Sequence, residues 1–100
     1  MKLLQIDFPY PGPWGDGLTE KARGLAEDIA RADGLRWKIW TENAETGRAG
    51  GIYLFEDAAS EEAYRTMHMA RLGKLGIRDI RAETFDVNEA LGRMTRAPSP

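Results

Sequence analysis

One hundred residues, 42% hydrophobic and 30% charged, suffice for one small domain with a single core. A net charge of −2 argues against a nucleic-acid or anionic-membrane surface, and no stretch reaches the roughly 20 apolar residues of a membrane span. The absence of cysteine excludes disulfides and thiolate catalysis, and with a single histidine a His- or Cys-rich metal site is excluded too.

In chain order, Lys2–Phe8 (KLLQIDF) is apolar at most positions and is predicted as a strand. Its apolar run is too short for a secretory leader, so the cytoplasm is the expected compartment. Pro9–Gly17 (PYPGPWGDG), with three prolines and three glycines, is an ordered loop. Asp16 is a candidate cap for a helix carrying Leu18, Ala22, Leu25, Ile29 and Ala32 at spacings of three and four, ending before Gly34. Leu35–Asn43 (LRWKIWTEN) and Ile52–Glu56 (IYLFE) read as strands joined through the loop AETGRAGG, a hairpin. A second helix follows, with Asp57 and Ser60 as cap candidates and Ala59, Ala63, Met67 and Ala70 as its expected core stripe. Ile77–Val87 is predicted as the last strand, NEALGRM as a helical turn, and residues 95–100 as a loose tail beyond a single domain of residues 1–94. Strand, helix, strand, strand, helix, strand is the α+β, ferredoxin-like order: an antiparallel sheet with both helices on one face.

Two helices cover one sheet face, yet these strands offer large apolar groups to both. Tyr53 and Phe55 oppose Ile52 and Leu54; Trp40 opposes Trp37 and Ile39; Leu4, Ile6 and Phe8 oppose Leu3, Gln5 and Asp7. Each large apolar side chain is worth roughly 1.5–3 kcal/mol when buried. The second face is therefore expected to be covered by a copy of the chain, giving a homodimer with sheets face to face.

The blocks LLQIDF, GPWGD, WKIWTE, GGIYLF, HMARL and FDVNEAL, in this order and spacing from Leu3 to Leu91, resemble the YdhR family of monooxygenases. That family is similar to the dimeric α+β barrels that include antibiotic-biosynthesis monooxygenases. The resemblance implies this fold and dimer, and oxygenation of a small aromatic, quinol or polyketide-like substrate by dioxygen with no metal, flavin or haem. No dinucleotide fingerprint, phosphate loop or usable serine nucleophile competes with it.

Oxygenation without a cofactor requires the substrate to be ionised inside an apolar pocket, and so a base, a donor for the anion and walls that exclude water. His68 is the only side chain with an ordinary pKa in the neutral range and is the candidate base; Arg71, three residues on, is the candidate anion holder. Tyr64 and Met67 lie beside the pair, Tyr53 and Trp40 are candidate walls, and Trp14 a candidate cap at the pocket mouth. Two alternatives stand beside oxygenation: a binding or sensing module without chemistry, and a proton-transfer isomerase using the same base.

Overall fold

The computed structural model describes residues 1–100. Its elements are β1 (Lys2–Pro9), α1 (Asp16–Ile29), β2 (Leu35–Asn43), β3 (Arg48–Phe55), α2 (Ala58–Lys74), β4 (Arg81–Asp86) and α3 (Glu89–Met94). The four strands form one antiparallel sheet in the order β2-β3-β1-β4, the ferredoxin-like arrangement, with α3 added after the last strand. No helix is long and apolar enough to cross a membrane.

Register assigns the two faces. Leu4 pairs with Tyr53 and Thr84, and Ile6 with Gly51 and Ala82, so these residues share the face that meets the helices. Leu4, Ile6, Tyr53 and Phe55 are fully buried there against Ile29 of α1 and Tyr64 and Leu72 of α2. On the opposite face lie Leu3, Ile52, Leu54, Trp37, Ile39 and Phe85, as the alternation predicts. Asp7, also on that face, is clamped by Arg48 (2.7 Å) and Arg81 (3.0 Å). Burial opposes ionisation of this carboxyl, but the two arginines outweigh it and hold it below its ordinary range.

Strand β3 begins earlier than its apolar run. Arg48–Gly51 pair along β1 as part of the ladder, and Gly50 is needed there: a Cβ at this position would lie 1.9 Å from the Ile6 carbonyl oxygen. The hairpin turn falls at residues 44–47, where the Asn43 side chain accepts from the amides of Glu45 and Thr46. A β-bulge interrupts β2: Leu35 pairs with Phe55 and Trp37 with Leu54, leaving Arg36 as the extra residue.

Three further expectations change. Asp16 is the first residue of α1 rather than its cap; Gly15 stands at the cap with positive φ, its amide held by Glu42 Oε1 at 2.7 Å. The last strand starts at Arg81, not Ile77, because Ile77 turns back and donates its amide to the Leu72 carbonyl (3.1 Å), closing α2. The inner stripe of α2 is Glu61, Tyr64, His68 and Leu72, while Ala59, Ala63, Met67 and Ala70 are exposed. The helix is thus turned by about 150° from the apolar-stripe expectation. Polar groups occupy the buried side because they find partners: Glu61 Oε2 accepts from Thr84 Oγ1 (3.1 Å) and Arg65 Nε (3.0 Å).

Candidate functional site

A cavity of about 860 Å³ opens between the helix-covered face of the sheet, α1 and α2. Leu18, Ala22 and Leu25 of α1 supply one wall, Leu72 of α2 and Leu75 at its C-cap another, and Trp40 and Tyr53 the sheet floor. Its rim is formed by Pro9–Gly12 and by Gly76–Asp79. The first rim segment is anchored to the β2–β3 hairpin, since the Tyr10 amide donates to the Gly47 carbonyl at 2.7 Å.

Of the residues expected from sequence, Trp40, Tyr53 and Arg71 line this cavity. His68 and Tyr64 stand directly behind them, buried, the imidazole stacked on the Tyr64 ring at 5.0 Å and edge-on to Tyr53 at 6.2 Å. Met67, 44% exposed, is on the outer side of α2 and does not line the cavity, a consequence of the rotated stripe. Trp14 does not line it either; it packs edge-on against Tyr10 (5.3 Å), and Tyr10 is the loop aromatic that reaches the rim.

Arg71 joins three elements of the site. Its Nε and Nη2 lie 3.2 and 2.9 Å from His68 Nδ1, and Nη1 donates to Asp28 Oδ2 of α1 at 2.6 Å. A guanidinium has only donors, so Nδ1 must be the unprotonated nitrogen, and His68 is the neutral Nε2–H tautomer. Burial, reinforced by the charges of Arg71 and Lys38, pushes its pKa down to about 3.

Sequence reasoning missed Lys38. It pairs with Tyr53 across the β2–β3 ladder and therefore projects toward the helices, two residues before Trp40 on the same face. Its Nζ lies 3.3 Å from the centroid of the Trp40 ring and 4.5 Å from that of Tyr53, with no carboxylate paired to it. Burial, followed by repulsion from Arg71, lowers its pKa to about 7. Strand parity carried the signal, because whatever faces inward with Trp40 carries Lys38 with it. Burial also raises the phenols of Tyr53 and Tyr64. The Tyr64 hydroxyl is buried without a hydrogen bond, although Tyr53 and Arg71 are near enough to influence it.

The site is thus a largely apolar chamber whose lining carries, with Lys21, Arg78 and Asp79, an unpaired Lys38 and an arginine already shared between a histidine and an aspartate. The fold is similar to that of a solved structure from Deinococcus radiodurans, described as a putative antibiotic biosynthesis monooxygenase. The TM-score is 0.65 at 12% identity, covering 88% of this chain and 93% of that one. No curated protein matches the chain. The family described as "Putative mono-oxygenase ydhR" matches residues 3–98, and the chain belongs to that family.

Proposed function

We propose that the protein is a monooxygenase that acts, without metal, flavin or haem, on a small aromatic or quinol-like molecule held in this cavity. The observation that carries the reading is the chamber itself: about 860 Å³, walled by leucines, Trp40 and Tyr53, with the cations Lys21, Lys38, Arg71 and Arg78 and the single carboxylate of Asp79 in its lining. Such a site desolvates a planar ring while stabilising negative charge at one edge. An ionised phenol or enol can then reduce dioxygen directly. One oxygen atom becomes a carbonyl on a substrate carbon that carried hydrogen, and the other leaves as water with the two hydrogens lost by the substrate.

In this reading His68 is not the base. Its Nδ1 is occupied by Arg71 and its proton affinity is low. It fixes the guanidinium, and Arg71 supplies positive charge to the chamber, moderated by Asp28.

We also propose a homodimer through the uncovered sheet face. Ile39 and Phe85 remain 48% and 41% exposed there, and Trp37 Nε1 is buried without an acceptor. A second sheet would cover the first two.

The test is oxygen uptake with a panel of hydroquinones and hydroxyanthrone-like compounds, with product analysis under isotopic dioxygen. Label in the product with one water formed per turnover is expected. Binding without uptake would leave a binding module, and product formed equally well without oxygen would make the protein an isomerase.

A further inference from the structure

Lys38 lines the cavity with Lys21, Arg71, Arg78 and Asp79, and no carboxylate is paired with it. Arg71 is committed to His68 and Asp28. Lys38 instead stands between two aromatic faces, its Nζ 3.3 Å above Trp40 and 4.5 Å from the Tyr53 ring, on the floor of the cavity. A half-buried ammonium with no carboxylate partner and with Arg71 near it holds its proton less tightly than usual, its pKa lowered to about 7, so a substantial fraction is free amine at neutral pH. Once charged, the same group is well placed, because the Trp40 ring stabilises an ammonium above it. Near neutral pH Lys38 is therefore available as both amine and ammonium beside the cavity, and an acidic ligand would shift it to the charged form.

We propose that Lys38 is the base and the anion partner of this site, and that its ligand is an acidic phenol or enol. The inference rests on the cavity being the substrate site, as set out above. In the step itself the ligand's O–H bond breaks and an N–H bond forms on the Lys38 amine. The oxyanion stays paired with the new ammonium, and no electron changes hands. The neighbouring apolar walls keep water from competing for either charge. A ligand lacking the acidic proton, such as the methyl ether of the same phenol, would be held by the walls alone.

The experiment is anaerobic and independent of turnover. Full-length protein is mixed with β-naphthol, and separately with its methyl ether, at about pH 8, where a free phenol is un-ionised. Absorbance reports the naphtholate, and the side-chain NMR resonances of Lys38 report its charge. The expected result is a bound naphtholate, with Lys38 resonances moving to their charged positions for the phenol only. In Lys38→Met the phenol should bind un-ionised and about tenfold more weakly. Equal binding of the methyl ether by variant and wild type shows the chamber is intact. A naphtholate band that persists in Lys38→Met, or wild-type binding of the un-ionised phenol with Lys38 unmoved, overturns the proposal. Ionised binding with no later oxygen uptake supports it while refuting the oxygenase reading. Failure to bind either compound removes both.

Discussion

The Arg71 guanidinium caps His68 Nδ1 from two of its nitrogens, at 3.2 and 2.9 Å, and ties the imidazole to Asp28 on the neighbouring helix. The pair that sequence offers as base and anion holder is, in three dimensions, one cross-helix unit. Arg71→Met should raise the His68 pKa from about 3, but leave it below 6.5, because burial is the larger cause of the depression. NMR titration of the single imidazole checks this. An unchanged pKa would mean that the contact does not exist in solution.

The same depression has a consequence for acid stability. A histidine whose folded pKa lies below its unfolded one takes up a proton more readily in the unfolded chain. Its contribution is therefore intact above about pH 6.5 and is lost as pH falls from there through about 3. Denaturant midpoints measured across that window should decline in the wild type, and less steeply in His68→Gln.

For Lys38 the window lies on the alkaline side. The unfolded chain holds the proton between pH 7 and 10.5 while the folded one releases it, so this group favours folding more as pH rises across that range. Lys38→Met, which keeps the volume and gains contact with Trp40 and Tyr53, should remove that slope. It should also raise the melting temperature at neutral pH by about 4 °C. A lower melting temperature would show that the ammonium over Trp40 is a stabilising contact in the empty protein.

Gly50→Ala should be among the most damaging single changes in the chain. Its methyl group would fall 1.9 Å from the Ile6 carbonyl oxygen, and the obstacle is backbone in the middle of the sheet. A loss of about 3 kcal/mol or more, or failure to fold, is expected from chemical denaturation. Gly24→Ala, where a Cβ meets nothing within 4 Å, should be stabilising by about 0.5–1 kcal/mol.

The proposed sheet-face interface makes a separate prediction. Light scattering at micromolar concentration should return twice the chain mass, and Ile39→Asp with Phe85→Asp should return the chain mass alone. A monomeric wild type would mean that the exposed Ile39 and Phe85 serve another purpose.

Most of the fold was legible because its signals are local. The hairpin, both helices and the opposing faces of β1 and β3 follow from turn residues and from strict alternation along strands. What escaped was decided by side-chain partnerships, some local on α2 and some distant in sequence. Thr84 and Arg65 make a buried Glu61 tolerable, and Arg71, held by Asp28, caps His68, so the inner stripe of α2 is partly polar and the alanine stripe lies outside. The strand character of Arg48–Gly51 was hidden because glycine is a weak strand former. Its selection here reflects the closeness of the Ile6 backbone, which no window along the chain displays. Lys38 was overlooked although its face follows from that of Trp40, because charge suggests solvent more readily than a cavity floor.

One extra residue sets the chemical identity of the chamber. Because Arg36 bulges out of register, Leu35 can face the core with Phe55 while Lys38 and Trp40, three and five positions on, also face inward. A strand of regular alternation would have turned Trp37 and Ile39 to the helices, and Lys38 and Trp40 to the far side. The insertion thus acts as a selector between two complete surfaces written on alternate positions of one strand. One is cationic and aromatic, the other apolar throughout its large side chains. Drawing Arg36 into the regular ladder would exchange the lining of the chamber for that of the proposed subunit contact, whereas deleting Arg36 would leave Leu35, Lys38 and Trp40 facing inward.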